Sequence, residues 1–129
     1  MEIALRTPSR HNFAATVEAT RKALAAEGFG ILSEIDIQAK MKEKLNREMA
    51  EYLILGACAP PLAWDALHAA PEVGVFLPCN VCIRQTSSGV EVLAMDPAAV
   101  MPLMANPVLE RIGTDVRERL QRVLNAVNA

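Results

Sequence analysis

Leu77-Pro78-Cys79-Asn80-Val81-Cys82-Ile83-Arg84-Gln85-Thr86-Ser87-Ser88-Gly89-Val90-Glu91-Val92-Leu93-Ala94-Met95 carries the pattern that decides the fold. Residues 75–85 and 90–95 read as two strands, and Thr86-Ser87-Ser88-Gly89 between them reads as a hairpin turn. Strands joined this way pair antiparallel.

Upstream, residues 51–58 form a continuous apolar run that suits a buried strand. Residues 29–37 alternate through Phe29, Ile31, Ser33, Ile35 and Ile37, and residues 2–7 place Ile3 and Leu5 on one face, so both read as strands. Helices fill the gaps. Asn12 caps one in which Phe13, Val17, Thr20 and Leu24 recur at helical spacing, and Gly28 ends it. Asp36 caps a short helix to about Leu45, and Pro60-Pro61 start another carrying Leu62, Trp64, Leu67 and His68 to near Pro71. Asp96-Pro97 and Asn106-Pro107 repeat one device, a capping side chain followed by proline at the first helical position. The last helix runs to about Val127 with an apolar stripe of Leu109, Ile112, Val116, Leu120, Val123 and Val127, and with Asp115–Arg119 and Glu118–Arg122 as outward i,i+4 pairs.

The expected order is therefore β-α-β-α-β-α-β-β-α-α. It describes an α+β fold, a mixed sheet of about five strands with helices mainly on one side, in one domain over residues 1–129. Strand order does not follow from the pattern. With 52% hydrophobic residues and few aromatics, the core is aliphatic, and a chain of this size folds without a cofactor.

A net charge of −2, with signs interspersed, excludes the basic field that nucleic acid requires. Lys40, Lys42, Lys44 and Arg47 alternate with Glu43 and Glu48 as a solvated helix face. No apolar run is long enough to span a membrane, and the first residues lack the pattern of a signal peptide. The expected location is the cytoplasm, where Cys58, Cys79 and Cys82 stay reduced.

Gly56-Ala57-Cys58-Ala59-Pro60-Pro61 and Leu77-Pro78-Cys79-Asn80-Val81 resemble the paired signatures of the DUF302 family, small bacterial and archaeal proteins of unknown function. Gly28-Phe29-Gly30-Ile31-Leu32-Ser33-Glu34-Ile35-Asp36 and Lys42-Glu43-Lys44-Leu45 are similar to the family's second strand and the helix after it. The resemblance spans nearly the whole chain. It implies a compact α+β homodimer and no assigned activity. Two positions depart from the pattern. Ala59 stands where the family usually has asparagine, a lost helix cap or else a lost polar site contact, and Cys82 stands where it usually has an aliphatic residue.

The chemistry on offer lies in the cysteines. Cys79 and Cys82 make a formal CxxC, but strand residues three apart point to opposite faces and lie roughly 10 Å apart. A disulfide requires Cα atoms within about 7 Å, so a thioredoxin-like pair is not expected. Cys58 ends a strand just before a helix, and Cys79 begins one just after a proline. Meeting at one rim of the sheet, their thiols would face the N-terminus of the helix that starts at Pro60, whose dipole favours thiolate. Such a pair could hold a soft metal such as Cu(I), or react through a sulfenic acid or persulfide. The competing reading is two small buried hydrophobes. A structural zinc site would need more ligands than Cys58, Cys79 and a distant His68 supply.

Asn80 could orient a ligand or satisfy backbone groups at the strand start. Glu34 and Asp36 share a strand face as a candidate acid/base pair, or serve as a surface residue and a cap. Trp64 and His68 share a helix face; a haem wall and axial ligand compete with a half-buried indole beside a surface histidine. His11 lies in a polar loop. Met101 and Met104, on a short apolar helix, read as core or dimer surface rather than metal ligands.

Three readings remain open. The first is a homodimeric binding domain with a pocket at Cys58, Cys79 and Asn80, and with Glu34 as a further contact, for a small ligand or soft metal. The second is a redox or sulfur-transfer protein using Cys79 as nucleophile and Cys58 as resolving thiol. The third is an interaction domain with inert cysteines. Binding ranks first because neither histidine falls beside Cys79 to serve as its base.

Overall fold

The structure, a computed structural model, describes residues 2–129. Five strands, β1 (Ala4–Ser9), β2 (Gly30–Asp36), β3 (Tyr52–Cys58), β4 (Cys79–Thr86) and β5 (Gly89–Met95), form one sheet in the order β1-β5-β4-β3-β2. Every neighbouring pair is antiparallel, so the α+β class and strand count stand, while the sheet expected as mixed is antiparallel throughout. The reason lies in the connections. Consecutive strands β2 to β5 lie side by side, and each reverses direction at its connection. β1 reaches β5 from the far edge.

The hairpin behaves as its sequence dictates. Thr86 pairs with Gly89 across the turn, and the Thr86 hydroxyl binds both the Ser88 N–H (3.2 Å) and the Gly89 carbonyl (2.8 Å). Alternation then turns Val81, Ile83, Val90, Val92 and Ala94 inward, against Leu53, Leu55 and Ala57 of β3. On this face lie α1 (Phe13–Ala26) and α5 (Pro107–Val127), packed on each other. The α5 stripe supplies Leu109, Val116, Leu120, Val123 and Val127, all buried.

Caps fall where the sequence puts them. Asn12, Asp36, Asp96 and Asn106 each accept backbone N–H bonds in the first turn of the helix that follows, and Gly28 takes a positive φ of 85° after α1. Ala59, ahead of α3 (Pro60–Ala69), offers no side-chain bond, as a missing cap requires.

Four local readings are corrected. The strand expected over 75–85 begins only at Cys79, because Pro71–Phe76 coil into a 3-10 helix started by Pro71. The alternation over 29–37 is broken at Leu32, where the register slips between Ile31 and Ser33. The N-terminal strand lies two residues later than expected. Arg119 pairs with Asp115 (2.9 Å) as expected, but Arg122 turns away from Glu118 to Glu27 (2.9 Å), tying α5 to the end of α1.

Beyond one end of the sheet, α3, the 3-10 helix, α4 (Pro97–Val100) and a second 3-10 turn (Met101–Met104) build a smaller cluster around Ala66, Ala70, Val73, Met101 and Leu109. Gly113 lets this cluster approach α5; a Cβ there would sit 2.9 Å from Met101 Cγ and 3.1 Å from the Pro97 carbonyl oxygen.

Candidate functional site

A cavity of about 50 Å³ opens along the seam between the main core and the smaller cluster. Ala57, Cys58, Ala59 and Cys79 form its sheet side, with Leu62, Ala63 and Ala66 of α3 and Val116 of α5 opposite. Among the described residues, no charged, amide or hydroxyl side chain lines it, and the only side-chain heteroatoms there are sulfur, on Cys58, Cys79, Met95 and Met101.

The register explains how two cysteines 21 positions apart arrive here. Cys79 lies directly opposite Ala57 on the ladder, and Cys58 is the next residue of β3, opposite Gly30. Strict alternation would send Cys58 to the other face. At the strand's last residue the chain is already turning into α3, and both cysteines reach the cavity. Proline holds the two segments together. The Pro78 ring stands over Gly56, so close that a Cβ on Gly56 would lie 2.7 Å from Pro78 Cγ and 2.2 Å from Ser33 Oγ. Only glycine leaves room for that crossing, which links the two cysteine-bearing segments physically.

The electrostatics run opposite to the expectation of an activated thiolate. Burial raises the Cys79 thiol, and the negative charge that Cys58 would carry raises it further, to about 11. Burial also raises Cys58. Desolvation is the main cause in both, because a thiolate among the carbon atoms of this apolar lining loses its hydration. Both cavity thiols are therefore protonated at neutral pH.

Other candidates are placed elsewhere. Asn80 is exposed on β4, opposite Gly56, and does not line the cavity. Glu34 lies on the inward face of edge strand β2, where Arg21 of α1 binds it at 2.5 Å. Asp36 is spent as the cap of α2 (Ile37–Leu45), so no free acid/base pair remains there. Cys82 faces the other side of the sheet from Cys79, beside Ile54 and Leu93, and its thiol is raised by burial with the Tyr52 hydroxyl partly offsetting this. All three cysteines are free, which agrees with the strand argument against a CxxC disulfide. Trp64 stacks on His68 with ring centroids 4.4 Å apart, and the His68 Nδ1 lies 2.8 Å from the Trp64 carbonyl oxygen. Trp64 is 66% exposed, so the pair forms a surface feature rather than a cofactor wall. Among the described residues, no three His, Cys, Asp or Glu side chains converge as metal ligands. No described helix is long and apolar enough to cross a membrane.

Sequence reasoning missed Met95 and Met101 as companions of the cysteines. Met95 is the last residue of β5 and Met101 begins the second 3-10 turn, so no spacing connects them to Cys58 or Cys79. The usable signal was positional: Met95 ends the strand after the one Cys79 begins, and a hairpin returns that end to the same rim.

The sequence profile of a family described as "Domain of unknown function DUF302" matches residues 5–127. The solved structure of an uncharacterized conserved protein DUF302 from Bacillus stearothermophilus is 26% identical, with a TM-score of 0.93 over 99% of this chain and 100% of that one. No curated protein matches.

Proposed function

The chain belongs to the DUF302 family, which supplies a fold and no reaction, and from the site itself we propose that the protein is a small-ligand binding domain acting through the cavity at Cys58 and Cys79. The observation that carries this reading is the lining: carbon and thiol or thioether sulfur only. Such walls offer nothing to a hard ion or a phosphate, which need charge or hydrogen bonds when they leave water. They accept apolar groups, and they accept soft species that bind sulfur.

The redox and sulfur-transfer alternative is weaker on the same grounds. A nucleophilic cysteine needs its thiolate, usually with histidine as base. Both cavity thiols are raised, and neither His11 nor His68 lines the cavity. Asn80 and Glu34 drop out as contacts because neither reaches the cavity walls.

The proposal keeps the protein cytoplasmic, where free thiols persist, and homodimeric. Pairing draws support from the family resemblance and from the row Ile35, Ile54, Cys82 and Leu93 across the sheet face away from α1 and α5. Light scattering on the purified protein reports twice the chain mass if it pairs, and one chain mass refutes that part.

The test of the pocket uses xenon, a monatomic probe suited to an apolar cavity of this volume. Amide resonances of residues 57–59, 62–66, 79 and 113 should shift together and saturably, and Ala63→Phe should abolish the response. Shifts that are absent, or scattered over the surface, defeat the reading.

A further inference from the structure

We propose that the occupant of this cavity is a soft monovalent d10 cation, Cu(I) or its analogue Ag(I), held by sulfur from Cys58, Cys79, Met95 and Met101. The inference rests on the pocket reading above and names its ligand.

Size is the first argument. Organic ligands occupy pockets of roughly 300–1,000 Å³. At about 50 Å³, this cavity has room for one ion or a molecule of a few atoms.

Donor chemistry is the second. Thiolate and thioether are the soft ligands that select Cu(I), whereas Mg(II), Ca(II) and Mn(II) require oxygen. Four sulfur-bearing side chains line this one small space, from four separate parts of the chain: the end of β3, the start of β4, the end of β5 and the turn after α4. The chain holds three cysteines and six methionines in all, and among the described residues no oxygen- or nitrogen-bearing side chain joins the four at the walls. Zinc is disfavoured because its sites draw on thiolate, imidazole or carboxylate in sets of three or four, and only two thiols are available here.

Each cysteine that binds forms an S–Cu bond and releases its proton to solvent, with no change in oxidation state.

The test is anaerobic titration of the purified protein with Cu(I) in the presence of bicinchoninate, whose coloured complex reports the metal not yet captured. The expected result is withdrawal of one equivalent per chain, with a sulfur-only shell in copper-edge X-ray absorption. C58S/C79S should lose affinity by at least a hundredfold and C82S should keep it. M95L/M101L preserves hydrophobic volume, and should weaken binding about tenfold. Failure to withdraw metal, an oxygen or nitrogen shell, or wild-type affinity in M95L/M101L overturns the proposal. If xenon enters the cavity while Cu(I) is refused, the pocket reading survives and the metal assignment falls. If both are refused, both fall.

Discussion

Gly56→Ala is the sharpest test of how the two cysteine segments are held. The new methyl would sit 2.2 Å from Ser33 Oγ and 2.7 Å from Pro78 Cγ. The serine hydroxyl can rotate away on its exposed edge strand; the proline ring cannot. Forcing a methylene into a filled site costs about 1–3 kcal/mol. Losing glycine's freedom in the unfolded chain returns about 0.4–1 kcal/mol. The net expectation is a loss of about 1–2 kcal/mol. Unfolding entropy near 2.1 cal/mol/K per residue gives about 0.27 kcal/mol/K for 129 residues, so Tm should fall by about 4–7 °C. Gly30→Ala is the control. Its Cβ would meet nothing closer than the Cys58 carbonyl oxygen at 3.9 Å, and Gly30 is not in the left-handed region. Gly30→Ala should therefore raise Tm by about 1–4 °C. Thermal denaturation followed by circular dichroism measures both. A Gly56→Ala protein as stable as wild type would refute the crossing of Pro78 over Gly56. Recovery in the Ser33→Ala/Gly56→Ala double variant would assign the obstacle to the hydroxyl instead of the ring.

Alkylation separates the thiols. With its pKa near 11, about one Cys79 in a thousand is thiolate at pH 8, so iodoacetamide should label it slowly until the buffer passes pH 10. Rapid labelling of native Cys79 at pH 7 would contradict its burial. The same shift links stability to pH. The folded state holds the Cys79 proton from its ordinary 9.0 up to about 11, so stabilisation present below pH 9 is lost as pH rises through 11. The loss approaches about 2–3 kcal/mol, and urea midpoints at pH 8 and 10.5 should converge when Cys79→Ala is compared with wild type. Asn106→Ala removes the acceptor for the Val108 and Leu109 N–H groups at 3.0 and 3.3 Å. It should cost about 1 kcal/mol in a urea melt, and no loss would discount the cap. Ala59→Ser should gain about 0.5–1 kcal/mol in the same melt by capping α3, and a loss would mean the site rejects the hydroxyl.

Much of the fold was legible because local rules and tertiary packing agree here. The turn at Ser87-Ser88, the four side-chain caps and the stripe from Leu109 to Val127 all obey short-range patterns that the core then uses. Errors arose where the chain departs from period two without announcing it. Val75 and Phe76 have strand-like composition but fall in the 3-10 turn begun by Pro71, and Leu32 slips the register without a glycine to signal it. The site was half legible. Cys58 and Cys79 were read to one rim and lie on one cavity. Their ionisation was misjudged because the dipole of α3 can be inferred from Pro60-Pro61, whereas the apolar wall that desolvates them comes from α3, α5 and the 3-10 turns together. Met95 and Met101 were invisible for the same reason.

The sheet order has a consequence for how the chain is made. β2 through β5 each find a partner in the next strand along, so that part of the sheet can assemble as residues emerge from the ribosome. β1 is the exception: Ala4 faces Met95, and nothing nearer in the chain can take its place. β1 is thus the strand whose partner lies farthest along the chain, so its pairing closes the longest loop in the sheet. Its docking completes one border of the sheet, and Asn128, which accepts the Arg10 N–H at 3.1 Å, fastens the end of α5 to the end of β1.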